Sequence, residues 1–570
     1  MASPAPDRTA PLIRELGLSP LAAQCLVNRG LDSPGSAQAF LDPRLKSLAD
    51  PLLIPNMAAA VERLFVEREA GRQLTVFGDY DVDGVTATAI LKLGLQHLGW
   101  AVNTYLPHRM EEGYGLTQVG VENCVEQFPV SLLLAVDCGS SAVEPVAWLK
   151  SRGVDVLVLD HHQVSSPSPA VLALVNPQLG LPGEPSFREL CSAGLAFKLL
   201  HAVVKIGRDR GLAGFDVFDL RTVLDLVALG TVADLVPLMG ENRILVTAGL
   251  QRLGETKRPG LVALKAVAGV ESPVGVSEVG FQLGPRLNAA GRLETAEAAL
   301  ELLLARDLAA AEPLARALDV TNRERQTLER QMADAAVEQV RARFDPTRDY
   351  VIVEGQPQWH IGVVGIVASR VLREFHRPTL ILGGDNEHWR GSGRSIPGFD
   401  LAAALRECSA LLMRHGGHAM AAGITMEPAQ LNAFRERMNA LARSALSEEM
   451  LIPELRLDAS IVLADLTLAA ITELNRLEPF GQQNPPVQVC VTGVRITGTP
   501  VRLGKNRQHL KLCLTDGKTK VDALWWNAGD AALPEGVIDV AGVPQINDFV
   551  RRKTVQLKWL DWRPSSGNSK

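Results

Sequence analysis

The sequence predicts an α/β protein of several domains: a parallel-sheet domain and a second α/β domain joined by a long helix, plus a C-terminal OB-like β-barrel. Three observations carry this. Between residues 71 and 240, short runs that are apolar on both faces alternate with helical stretches, as parallel strands covered on both sides require. Residues 295 to about 344 are rich in Ala, Leu, Glu and Arg at helical spacing. Beyond residue 487, short β-rich runs recur at regular intervals. With 570 residues, the chain is too long for one core, and about three to four domains are expected.

Residues 1–70 read as a helical segment punctuated by Pro34-Gly35 and Asp42-Pro43, with no chemistry of its own. The parallel-sheet domain spans 71–275. Leu74–Gly78, Ser131–Val136 and Val154–Leu159 read as strands, with a helix over Thr86–Leu98. The first strand ends in Asp79, Asp81 and Asp83, the second in Asp137, and the third in Asp160-His161-His162. Ligands of open parallel sheets bind beyond the carboxyl ends of the strands, so these groups converge on one edge. A fourth contribution comes from Leu224–Leu238, read as a buried helix broken at Gly230 with Asp234 in the apolar turn before Pro237. A carboxylate there either caps the helix or binds a metal.

The anions at 79, 81 and 83, bracketed by Gly78 and Gly84, repel one another unless a cation neutralises them. A solvated acidic turn is the bland alternative for this stretch taken alone. Hard oxygen ligands suit magnesium or manganese. Asp-x-Asp-x-Asp-Gly also opens an EF-hand, but that calcium loop needs a Glu at its twelfth position, which here is Ile90, and a helix in front, where this chain has a strand. Five carboxylates and two imidazoles exceed the needs of one octahedral ion. Two divalent cations are therefore inferred, the arrangement used for in-line displacement at phosphorus.

Residues 106–116 form a loop near the same edge, with Arg109 as a phosphate anchor and Tyr114 either a base-stacking platform or ordinary packing. The helical connector spans 276–346. It begins with a glycine-rich basic loop, 284–293, whose Arg286 and Arg292 have no assigned role, and continues as one or two long helices broken near Pro313. The second α/β domain, 347–447, has strands over Tyr350–Val353 and Thr379–Leu382 around a helix, Val363–Phe375. Its Trp389-Arg390-Gly391-Ser392-Gly393-Arg394 and Gly416-Gly417-His418 stretches combine close backbone approach with donors suited to phosphate. A turn-rich linker, 448–486, leads to the barrel at 487–563, with strands over Val487–Ile496, His509–Leu514, Val521–Trp526 and Thr554–Trp559. Trp525 and Trp526 point to opposite faces, one to the core and one free to stack. Residues 564–570 read as a disordered tail.

The formal charge is −6, but residues 487–570 carry 13 Lys+Arg against 7 Asp+Glu, a basic module on an acidic body. No apolar run suits a membrane span, the N-terminus has no apolar signal core, and seven scattered cysteines never occur as Cys-x-x-Cys. A reducing, cytoplasmic setting is expected.

Taken in order, Gly78-Asp79-Tyr80-Asp81-Val82-Asp83-Gly84, Val136-Asp137-Cys138-Gly139, Asp160-His161-His162 and Gly230-Thr231-Val232-Ala233-Asp234 resemble the four motifs of the DHH phosphoesterase superfamily. The 347–447 stretch is similar to the DHHA1 domain that accompanies it. With the connector and barrel, the resemblance covers roughly residues 70 to 563 and points to the single-strand-specific exonucleases of the superfamily. It implies that Asp81, Asp83, Asp137, His161 and Asp234 hold two divalent cations, Mn2+ or Mg2+, with Asp137 bridging and Asp79 a further ligand. His162 would contact the scissile phosphate, and Asp160 would orient an imidazole. Ser392 and Arg394, helped by Arg109, would grip a terminal 5′-phosphate, with His418 near the phosphate track. The implied activity is 5′-to-3′ digestion of single-stranded DNA to 5′-mononucleotides in recombination and repair. A single-strand-binding protein and a helicase are implied as partners. The alternatives are a phosphodiesterase of short oligonucleotides or cyclic dinucleotides, a pyrophosphatase, and a non-catalytic DNA-binding scaffold.

Overall fold

The computed structural model describes residues 5–565 apart from 110, 181–186, 294, 386, 530 and 549–552. Five parallel strands, β1 (Gln73–Phe77), β2 (Ala101–Tyr105), β3 (Leu132–Val136), β4 (Asp155–Leu159) and β5 (Ala173–Val175), lie in the order β2-β1-β3-β4-β5. The central β1, β3 and β4 are the three strands announced by apolar runs. The edges are not: β2 is half exposed and β5 has three residues. The chain runs outward from β1 to β2 one way and from β3 to β4 the other. That reversal opens a crevice at the carboxyl ends of β1 and β3.

Two expectations fail for one reason. The helix Leu224–Ala233 runs through Gly230 without a break, and the expected loop at 284–293 is the helix Gly284–Leu293. A Cβ at Gly230 would lie 2.3 Å from Thr86 Oγ1, and one at Gly291 would lie 2.7 Å from the Tyr80 carbonyl oxygen. These glycines let helices approach neighbouring chain, so they mark packing and not turns. The connector breaks between the helices Glu297–Leu304 and Leu308–Arg341, not at Pro313, which sits inside the second helix close to its start.

The second domain has one sheet ordered β6-β7-β8-β10-β9, from β6 (Ile352–Gln356), β7 (Thr379–Gly384), β8 (Trp389–Arg394), β9 (Arg414–Gly417) and β10 (Ala421–Met426). Only β6 and β7 pair in parallel, and the Gly416-Gly417-His418 stretch closes the β9–β10 hairpin. The third sheet contains β11 (Ala459–Ile461), β12 (Val489–Leu503), β13 (His509–Thr515), β14 (Lys520–Trp525), β15 (Ile538–Asn547) and β16 (Thr554–Pro564). Pairing of β12 with β15 closes its last five strands into a barrel, and β11 adds alongside β12. Trp525 stacks on Trp559 at 5.1 Å, while Trp526 is the exposed one, edge-on to His509.

The segment 448–486 is more than a linker. Leu463, Leu474 and Leu477 are buried in one core with Leu12, Leu26 and Phe40 of the N-terminal helices and Val489 and Leu512 of the barrel. The N-terminal segment therefore divides: its first three helices pack on the barrel, whereas Met57–Glu69 packs on the first sheet. Of the tail expected at 564–570, Pro564 ends β16, and residues 566–570 lie outside the described residues.

Arg243 joins these parts. Its guanidinium is buried, lies 3.6 Å from the ring centre of Phe40, and donates to the carbonyls of Phe40, Leu477 and Glu478 at 2.7, 3.0 and 2.6 Å. Burial lowers its pKa only to about 10, so it stays charged. Arg243→Met is expected to strand these carbonyls, at a cost of about 3 kcal/mol and a melting temperature several degrees lower. An unchanged melting curve would show that the cation is not what fastens the barrel to the sheet domain.

Candidate metal centre

The crevice collects the groups expected there. Asp81 caps the helix Val82–His97, accepting from the Gly84 N–H at 3.1 Å. Asp83 is buried in the first turn of that helix and accepts from the N–H groups of Ser192 and Ala193 at 2.7 and 2.8 Å. Those amides open the helix Ser192–Asp209, whose positive end favours an anion. Asp137 holds φ at +64°, a left-handed turn out of β3, and its Oδ1 accepts from the Ser192 hydroxyl at 2.9 Å. His161 Nε2 stands 3.4 Å from Asp137 Oδ1, 3.7 Å from Asp234 Oδ2 and 4.0 Å from Asp83 Oδ2.

Three overlapping sets of donor atoms, each within 4.8 Å, result: Asp79, Asp81 and Asp137; Asp83, His161 and Asp234; and Asp137, His161 and His162. Asp79 Oδ1, Asp234 Oδ2 and His161 Nε2 are buried without a hydrogen-bond partner. Buried polar atoms are rarely left so. Burial, then mutual repulsion, pushes Asp83 up to about 6 and Asp234 up to about 9, and holds Asp79 and Asp137 well above the carboxylate range. Burial, then the neighbouring His162, lowers His161 to about 4. Carboxylates that resist ionisation beside a neutral imidazole with a free nitrogen fit divalent cations bound by oxygen and nitrogen.

Asp160 has a different environment. It accepts from Ser140 N, His161 N and His162 N, and its Oδ1 lies 2.8 Å from His162 Nδ1. Burial opposes charge on His162, but the bond to Asp160 outweighs it and carries the imidazole up to about 9. Its Nε2 meets the Tyr114 hydroxyl at 3.0 Å.

Beside this edge, a cavity of about 840 Å³ separates the two α/β domains, lined by Tyr80, Arg109, Tyr114, Arg292, Ser392 and Arg394 among others. Arg109 lies over the Tyr80 ring at 5.1 Å, and Arg394 Nη1 donates to Ser392 Oγ at 2.8 Å. Burial, then Arg109, Arg325 and Arg394, pushes Arg292 down to about 10. Clustered guanidiniums of this kind await an anion. Arg292 had no assignment from sequence; the signal was Gly291, which brings its helix against Tyr80. Arg286 instead pairs with Asp319 of the connector at 2.9 Å. His418 is not brought to the cavity. It sits exposed at the hairpin turn, and His415 lines the wall in its place.

Three family models match the chain: the DHH family N-terminal domain at 73–231, the DHHA1 domain at 348–444 and the RecJ OB domain at 457–561. The single-stranded-DNA-specific exonuclease RecJ of Bacillus subtilis is 38% identical over 568 residues, covering 98% of this chain and 70% of that protein. The Escherichia coli protein of the same name is 35% identical over 577 residues, covering 97% of this chain and 96% of its own. The crystal structure of RecJ from Thermus thermophilus in complex with Mn2+ superposes with a TM-score of 0.85 at 32% identity, covering all of this chain (100%) and 79% of that one. A second crystal structure of that protein, in complex with Mg2+, gives 0.77.

Proposed function

The chain belongs to the RecJ family, metal-dependent exonucleases of single-stranded DNA, and from that premise we propose that it digests strands from the 5′ end to 5′-mononucleotides. The observation that carries the polarity is the position of the arginine-lined cavity beside the carboxylate edge. A terminal 5′-phosphate on Arg109, Arg292, Arg394 and Ser392 sets the next phosphodiester at the carboxylates.

Asp79, Asp81, Asp83, Asp137, His161 and Asp234 would hold two divalent cations, Mn2+ or Mg2+, Asp137 belonging to two of the donor sets. When bound, the cations activate water and neutralise the charge gathering on the phosphoryl oxygens. The remaining work falls to side chains. Asp160 keeps His162 charged and fixed, and His162 meets a phosphate oxygen at the Nε2 where Tyr114 now bonds. Tyr114, 58% exposed, offers its face to the terminal base. The basic barrel, with Trp526 exposed, tracks the strand beyond.

A role in recombination and repair, a cytoplasmic location, and a single-strand-binding protein and helicase as partners belong to the same proposal. Seven unpaired cysteines support a reducing compartment, and among the described residues no helix is long and apolar enough to cross a membrane. The barrel speaks against a phosphodiesterase of short oligonucleotides, and the orphaned buried carboxylates against a scaffold.

The test is a 5′-labelled single strand incubated with Mn2+ or Mg2+, and with chelator. Labelled mononucleotide is expected from the first turnover and only with metal. Hydrolysis confined to dinucleotides would favour the short-oligonucleotide enzyme, and binding without hydrolysis the scaffold.

A further inference from the structure

Two large apolar side chains stand in solvent at the far end of the carboxylate edge: Leu235, 73% exposed, and Phe281, 80% exposed. Their backbones are unusual as well. Leu235 directly follows Asp234 and holds φ at +62°, a left-handed conformation that bulky apolar residues seldom adopt. Phe281 lies in the π-helical segment Val279–Leu283, a form often found at functional sites.

Their placement follows from the neighbouring helix. Gly284, Asn288 and Gly291 fall on one helical face at spacings of about one and two turns. A Cβ at Gly284 would lie 3.7 Å from Ala233 Cβ, Asn288 Oδ1 accepts from the Val82 N–H at 3.2 Å, and Gly291 backs onto the Tyr80 carbonyl. This face therefore runs along the cation-binding edge from Tyr80 to Ala233. Phe281 lies three residues before Gly284, in the π-helical segment that neighbours the helix ending at Ala233, which puts it at the Asp234 end of the edge.

The arginine cavity lies at the Tyr80 end, since Tyr80, Arg109 and Arg292 line it. A strand with its first nucleotide there and its scissile phosphate at the carboxylates leaves by the Asp234 end. The exposed side chains at that end include these two apolar ones, suited to the face of a base, beside Arg286, which bonds the Gln282 carbonyl at 2.7 Å. We propose that Leu235 and Phe281 form an apolar lip that takes the unpaired nucleobase on the 3′ side of the scissile phosphate. The inference rests on the 5′-end reading above. A base inside a duplex has both faces stacked and cannot lie on the lip, which makes the lip a contributor to single-strand selectivity.

The test crosses protein and substrate changes. Phe281→Ser and Leu235→Asn alter exposed side chains, the second to a residue that tolerates a left-handed backbone. Each is expected to raise KM for single-stranded DNA roughly tenfold with kcat nearly unchanged. Wild-type enzyme on a strand whose second nucleotide is abasic should lose the same factor, and the variants should lose nothing further on that strand. Independent, multiplying losses would overturn the lip, as would a wild type indifferent to the abasic site, a measurement needing no variant. Wild-type digestion that starts from the 3′ end would overturn the 5′-end reading instead, whatever the variants do.

Discussion

Asp137→Ala is expected to slow hydrolysis of single-stranded DNA by at least about 10³-fold, ~4 kcal/mol on the barrier, while strand affinity changes little. Asp137 leaves β3 in a left-handed turn at φ +64°, which aims its carboxylate at His161, and the Ser192 hydroxyl fixes Oδ1. It belongs both to the set with Asp79 and Asp81 and to the set with the two histidines. In the proposed reading, removing it takes a donor from both cation positions at once, and strand affinity rests elsewhere, on the cavity arginines and the basic barrel. Stability should move the opposite way in metal-free protein. Asp137 is a buried carboxylate held well above its ordinary range by burial and then by Asp83, Asp81 and Asp79, so its loss relieves repulsion. Metal-free Asp137→Ala is therefore expected to melt a few degrees higher than wild type, and to lose most of the rise that Mn2+ gives wild type. Single-turnover rates, Mn2+ calorimetry and melting curves check these points. A variant that still binds two ions and hydrolyses DNA near the wild-type rate would refute the shared-ligand role.

The site was more legible than its surroundings, and the reason is physical. Asp79, Asp81, Asp83, Asp137 and His161 each stand just beyond a strongly apolar run, and a parallel sheet brings such positions to one edge whatever the loops do. Buried strands β1, β3 and β4 announce themselves, while the half-exposed β2 and the short β5 do not. Glycine misled twice, at 230 and in 284–293, because the sequence signal for a turn is the same as that for a close helix crossing. His418 is exposed at the hairpin turn whereas His415, on β9, lines the cavity, and spacing along a hairpin does not tell these two positions apart. Arg243 and the shared core of the N-terminal helices and barrel join residues over 230 positions apart. No local pattern encodes contacts of that range.

Arg394→Ala is expected to abolish the preference for a 5′-phosphorylated end over a 5′-hydroxyl end, by raising KM for the phosphorylated strand some 10- to 100-fold. Arg394 lies on β8, in register with Ala421 of β10 and Thr379 of β7, so two neighbouring strands hold its backbone rigid. Burial lowers its pKa and Arg109 lowers it further, and among the described residues no carboxylate bonds to it. Its Nη1 donates to Ser392 Oγ and to the Gly393 carbonyl, each at 2.8 Å, and the Ser392 hydroxyl can in turn donate to a phosphate. A half-buried cation facing other cations is destabilising until an anion arrives, and a charge-assisted bond to phosphate counts for about 1.5–3 kcal/mol. The hydroxyl-ended strand never makes that bond and should be cleaved by wild type and variant alike. The split between substrates is what separates a phosphate grip from a structural role, because a distorted domain would impair both. Arg394→Lys sharpens the comparison: it keeps the charge but loses the fork, and should recover only part of the preference. Equal losses on the two strands would move Arg394 out of the phosphate site and leave Arg109 and Arg292 to hold the 5′ end.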